Sequence, residues 1–179
     1  MATKTLLTWE EFLSTAKEGH KSEWVDGEVT IMTPVNFRHE LILANLTELL
    51  VDFCRAQREW KWIPSNAVFT THAENWRCPD ISLVQRSRVV DENMPTGRAT
   101  FAPDVAFEIL SPSQTPSQVQ RKRQDYLESG VTQVWIDPEK RLIELIEPDQ
   151  PIHFVQGQQP LVISRLPGFQ LIPEDLFKI

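Results

Sequence analysis

Three residues in this sequence have types and settings suited to metal-assisted hydrolysis: Asp80, Glu108 and Lys122. Asp80 stands in "CPDISLV" and Glu108 in "DVAFEIL", runs otherwise apolar enough to read as buried strands. Side chains alternate across a strand, so Glu108 shares a face with Asp104, Ala106 and Leu110, and Asp80 with Cys78, Ser82 and Val84. Burying an unpaired carboxylate is costly even after relaxation, so each acid requires a cation, a metal or a proton. One divalent ion bridging both would meet that requirement. Hard oxygen ligands without clustered His or thiolate favour magnesium or manganese over zinc. The strand pattern alone is equally compatible with Asp80 as a turn residue after Pro79 and Glu108 paired with an arginine. Lys122 falls three residues after Val119 and four before Tyr126, on the helix side that those residues turn to a sheet. A lysine can snorkel to water from such a position; the acid in the preceding strand is what gives it a functional reading.

The elements that must position these residues follow from local signals. "TWEEFLSTAKEG" has Thr8 and Glu11 at capping-box spacing and predicts a short helix ending near Gly19. In "SEWVDGEVTIM", Asp26-Gly27 between two β-prone runs predicts a hairpin. Asn36 caps a long helix predicted to run to about Arg58, with Leu41, Leu46, Leu49, Leu50 and Phe53 on a wide apolar face. "KWIPSNAVFTT", "CPDISLV" and "DVAFEIL" are three strand candidates, the last two separated by a long loop from Gln85 to Pro103. Thr115 caps a helix with Pro116 at its first position, which Gly130 stops, and "VTQVWID" is the next strand. Strand, helix and strand in close succession predict a parallel pair joined by a right-handed crossover. "RLIELIE", "IHFV" and "LVIS" add short strands, and "LPGFQLIPEDLF" a closing turn with a helical stub.

A chain of 179 residues, 41% hydrophobic, is the size of one domain, here taken as residues 1–179. No apolar run approaches membrane-spanning length, and the N-terminus has no basic segment followed by an apolar one, so a cytoplasmic protein is expected. Cys54 and Cys78, with no CxxC or Cys/His cluster, argue against a disulfide framework and a zinc site. A formal charge of -7 weighs against non-specific coating of nucleic acid, which requires a cationic surface. Nucleic-acid contact must then be local; the candidate patches are Arg55, Arg58 and Lys61, then Arg86 and Arg88, then Arg121, Lys122 and Arg123. Each has the alternative of being a solvated face.

The order helix, three strands, helix, strand, with the acid of "PD" on the second strand and Glu on the third, resembles the PD-(D/E)xK restriction-endonuclease-like superfamily. That resemblance implies a mixed α/β (α+β) fold with this core, plus the N-terminal hairpin and extra C-terminal strands. More narrowly, "SEWVDGEV", Arg38-His39, "CPDISLV", "PDVAFEILSPS", "KRQDY", "SGVTQVWIDP" and "LPGF" resemble the Uma family of restriction-endonuclease-like proteins, over about residues 8 to 177. By position, the resemblance implies Asp80 and Glu108 as metal-binding acids for Mg2+ or Mn2+, with the Ile109 backbone carbonyl as a further ligand. Leu110 departs from the superfamily's ExK pattern, and the catalytic cation comes instead from the following helix as Lys122. Glu23 matches a family acid, beside the alternative of a solvated strand-edge glutamate. His39 lies where the superfamily often keeps a site acid, beside the alternative of a surface histidine. Asp104 also follows a proline; Asp80 is preferred for the "PD" role because it comes from a separate strand, whereas Asp104 marks a strand start.

The implied activity is metal-dependent endonucleolytic hydrolysis of phosphodiester bonds in DNA, held through a local basic patch, and a homodimer would let two sites address two strands. Two other readings compete. One is a catalytically silent nuclease-fold scaffold or interaction protein, which the acidic charge and the lack of a DNA-binding module support. The other is a metal-dependent enzyme acting on a small phosphate or nucleotide.

Overall fold

Asp26 and Gly27 adopt φ of 48° and 79°, the left-handed pair that a two-residue hairpin demands, and so join β1 (Ser22–Val25) to β2 (Glu28–Ile31). The computed structural model describes residues 6–8, 11, 22–31, 36–89, 94–95 and 97–178. Of the expected N-terminal helix, the reciprocal bonds of the Thr8 and Glu11 capping box are present, at 2.7 and 3.3 Å. The remainder of that helix lies outside the described residues, as do residues 90–93 and 96 of the loop from Gln85 to Pro103.

Helix α1 (Phe37–Ala56) starts at Asn36, whose side chain accepts the His39 N–H at 2.9 Å. Its buried stripe of Ile42, Leu46, Leu50 and Phe53 recurs at helical spacing. The expected strand "KWIPSNAVFTT" is two strands in different sheets: β3 (Trp60–Pro64) and β4 (Phe69–Thr70). Pro64 has no N–H to continue a ladder, and Asn66, at φ 83°, turns the chain away. After β5 (Trp76–Arg77), strand β6 (Ile81–Gln85) begins one residue later than Asp80, so this acid stands at the strand's entrance rather than within it. Strand β7 (Val105–Ile109) is followed by α2 (Pro116–Glu128), which is held by a full capping box of Thr115 and Gln118 and ends before Gly130 at φ 70°. The chain continues through β8 (Thr132–Asp137), β9 (Leu142–Ile146), β10 (His153–Gln156), β11 (Leu161–Val162), β12 (Gln170–Leu171) and the short α3 (Pro173–Leu176).

Six strands form a central mixed sheet in the order β10-β9-β8-β7-β6-β3, in which β7 and β8 are parallel and the other pairs antiparallel. Strand alternation divides its two faces. Val105, Phe107 and Ile109 join the α1 stripe in the main core, while Ala106 and Trp135 pack with Tyr126 of α2 on the opposite face. Burying each large apolar side chain in these clusters favours the fold by about 1.5–3 kcal/mol. The hairpin does not extend this sheet. It forms a second one, β2-β1-β5-β4, and β11 and β12 pair separately. Among the described residues no helix is long and apolar enough to cross a membrane.

Candidate active site

The antiparallel register of β6 and β7 pairs Ile81 with Phe107 and Ser82 with Ala106, so Asp80 and Glu108 come next to each other as that ladder runs out. The Asp80 carboxylate takes the place of a ladder acceptor: its Oδ2 receives the Ile109 N–H at 2.9 Å. The same oxygen lies 3.3 Å from His39 Nε2, which the first turn of α1 brings across the end of the sheet. His39 is buried, not the surface histidine that its position also allowed.

Glu108 points to the α2 face. Its Oε1 lies 2.6 Å from Lys122 Nζ and accepts the Tyr126 hydroxyl at 2.7 Å, both donors coming from successive turns of α2. Lys122 is only 4% exposed and does not snorkel. The alternative pairing of Glu108 with an arginine is replaced by this lysine and tyrosine. Lys122 Nζ also lies 2.8 Å from Oε1 of Glu23, a residue of β1 in the second sheet. Glu23 is therefore interior and ion-paired, not a solvated strand-edge residue.

Beyond Glu23 the network continues through residues that local patterning did not single out. Arg77 Nη1 donates to Glu23 Oε2 at 2.8 Å, and its Nε and Nη2 both donate to Asp125 Oδ2, at 2.8 and 2.5 Å. Asn75 Nδ2 donates to both Asp125 oxygens at 3.3 Å, and the Cys78 N–H donates to Glu23 Oε1 at 3.1 Å. The signals were nonetheless present: Arg77 directly precedes "CPD", and Asp125 and Tyr126 are the last two letters of "KRQDY".

Burial works against charge on Lys122, but Glu108, Glu23 and Asp80 outweigh it and raise the ammonium's pKa well above its ordinary value. Burial likewise pushes the Glu23 carboxyl up, yet Lys122 and Arg77 hold it below the usual carboxylate range. For Tyr126, burial and then the Glu108 and Glu23 charges act in the same direction, so its hydroxyl keeps its proton far past neutrality.

The polar cluster meets a cleft of about 410 Å³ at His39, with Asn36, Leu110, Ser111, Asp137 and Glu139 among its walls. Among the described residues no group of three or more His, Cys, Asp or Glu side chains is placed to hold a metal ion. Asp104 is not part of the site: its Oδ2 accepts from Gln85 N–H and Arg88 Nη1, each at 2.9 Å, at the start of β7. The run Arg121, Lys122, Arg123 is not a surface patch either. Lys122 is interior, Arg121 pairs with Asp26, and Arg123 pairs with Glu144 at 2.6 Å with its guanidinium over Trp135.

Fold and site together define a restriction-endonuclease-like protein. A crystal structure from Anabaena variabilis, described as that of "a putative nuclease belonging to DUF820", superposes with a TM-score of 0.83 at 23% identity, covering 96% of this chain and 97% of that one. The family described as "Uma2: Putative restriction endonuclease" matches residues 9–174, and the chain belongs to that family. No curated protein matches it.

Proposed function

We propose that this protein is a metal-dependent nuclease that hydrolyses phosphodiester bonds in DNA. The observation that carries the reading is the buried Lys122 ammonium bonded to Glu108, beside Asp80, in an acid-rich cluster that meets a cleft at His39. Glu23, Asp80, Glu108 and Asp125 gather four buried carboxylates around the Lys122 ammonium and the Arg77 guanidinium, with His39 on Asp80, an oxygen-rich donor set of the kind a hard divalent cation takes. The donor chemistry fits: Mg2+ or Mn2+ accepts one or two carboxylates, keeps several waters and takes further ligands from a substrate phosphate, so no closed cage of protein side chains is required. Asp80 and Glu108 would hold the ion, with the Ile109 carbonyl as a further ligand. When bound, it supplies Lewis-acid polarisation of the phosphate and a more acidic water.

The chain's own residues have distinct tasks. Lys122, whose ammonium is held between Glu108 and Glu23, offsets the charge that gathers on the phosphate in the transition state. Tyr126 remains a donor and fixes Glu108 Oε1. His39 steadies Asp80 where the cluster meets the cleft. A second copy of the chain would bring a second site to the opposite DNA strand, and two buried free cysteines suit a reducing compartment such as the cytoplasm.

The deciding experiment incubates purified protein with duplex and single-stranded DNA in Mg2+ or Mn2+, alongside Asp80→Ala and Glu108→Gln. Cleavage by the wild type that chelation abolishes and both variants lack is the expected result. A folded wild type that leaves DNA intact with either metal would favour the silent scaffold.

A further inference from the structure

Four side chains close a ring. Arg77 bonds Glu23, Glu23 bonds Lys122, one turn of α2 carries the chain from Lys122 to Asp125, and Asp125 returns to Arg77. All four are buried, and their formal charges alternate and cancel. From this ring the Lys122 ammonium reaches out to Glu108 at 2.6 Å.

We propose that Arg77 is a positioning residue: it works through Glu23 and Asp125 to hold the Lys122 ammonium against Glu108. The inference rests on the nuclease reading for its catalytic consequence but not for its geometry. Three donors of one guanidinium are used, Nη1 toward strand β1 and Nε with Nη2 toward helix α2. Arg77 therefore fastens both supports of Lys122 at a single point, and only a planar fork can do so. The approach to β5 supports this role independently. Ala73 and Glu74, neither of them glycine, adopt φ of 54° and 60° in the turn just before it. Such backbone persists only where its surroundings over-determine it. The turn delivers Asn75, whose Oδ1 accepts the Asp26 N–H at 2.9 Å while its Nδ2 reaches Asp125, so hairpin and helix are tied at the same place.

The test compares wild type, Arg77→Lys and the charge-balanced double variant Arg77→Met with Asp125→Asn, each shown to be folded by its melting curve. Arg88→Met, which removes an arginine–aspartate pair outside the site, controls for general loosening. Two readouts are taken: the rate at which formaldehyde and borane dimethylate Lys122, followed by mass spectrometry, and kcat with KM on DNA. The expected result is slow labelling in wild type and the Arg88 variant, labelling at least several-fold faster in both ring variants, and kcat lowered about ten- to a hundredfold with KM little changed. Arg77→Lys must fail despite keeping its charge, because one ammonium cannot make the three-way fork. Unchanged Lys122 labelling in both ring variants overturns the proposal, whatever the activity. Faster labelling with full kcat also overturns it, since the ring would then hold Lys122 to no catalytic end. Faster labelling in a protein whose wild type never cuts DNA upholds the positioning and removes the nuclease reading instead.

Discussion

Tyr126 Oη and Lys122 Nζ meet the same oxygen, Glu108 Oε1, at 2.7 and 2.6 Å, so one carboxylate oxygen is held from two turns of α2 while the acid itself belongs to the sheet beneath. A hydrogen bond to a buried charged acceptor is worth about 1.5–3 kcal/mol. Tyr126→Phe should therefore lower stability by about that amount, read as a shifted urea midpoint with an unchanged slope. It should also reduce turnover less than loss of Lys122 does, because the ammonium remains on Glu108.

Lys122→Met should reduce turnover by roughly a hundredfold or more, the scale of losing one preorganised electrostatic donor. It also removes a buried cation shared by Glu23 and Glu108, at about 3–5 kcal/mol. Steady-state kinetics at a temperature well below the variant's melting point separate the two effects. Full activity in this variant would remove Lys122 from the chemistry.

Acid should destabilise the protein partly through Glu23. Its folded pKa lies below the ordinary 4.5, so its stabilising contribution is present above that value and is lost as pH falls through the lower folded one. Urea midpoints measured downward from neutral pH should fall in that window, and Glu23→Gln, less stable at neutral pH, should show a shallower fall. Lys122 behaves in the opposite sense. With its pKa raised above 10.5, against burial, by Glu108, Glu23 and Asp80, its contribution to stability is complete below that value and disappears only in stronger alkali.

Magnesium or manganese should raise the melting temperature of the wild type. An ion at one hundred times its dissociation constant adds about 2.7 kcal/mol, worth about 5–11 °C for a chain of this size. The shift should vanish in Asp80→Ala. No metal response in a well-folded wild type would count against the ion.

Ala73→Gly should stabilise the fold by about 1 kcal/mol, since glycine takes the left-handed region without the penalty that a Cβ incurs. Thermal melts check it, and catalysis should be unaffected because no side chain of the network changes.

Much of the scaffold could be read from local chemistry. Asn36, Thr115 with Pro116, and Asp26-Gly27 act within a few residues of themselves, and each marks the boundary it promised. The parallel pairing of β7 with β8 followed from the intervening helix; for Lys122 the helix face left snorkelling open, and the acid in the preceding strand was the clue to its interior role. Other features depend on distant partners and leave no period in the sequence. Arg77 sits in a two-residue strand and gains meaning only from Glu23 and Asp125, 54 and 48 residues away. Whether Glu23 met water or protein could not be told from "SEWV", because the cover is supplied by α2 and β5. "KWIPSNAVFTT" looked continuous since both halves are β-prone; Pro64 and Asn66 were the local clues to the break.

The two sheets also set a condition on when the protein can act. Glu23 belongs to one sheet and Glu108 to the other, with Lys122 on the helix between them. Neither sheet alone assembles the cluster, and the contacts that join them span long stretches of chain, the kind that form late because their loop-closure entropy is met only near the end of folding. A partly folded chain would hold its acids apart and its lysine in water. Under the proposed nuclease reading, that makes completed folding a safeguard: a misassembled or half-made copy would leave the DNA around it uncut.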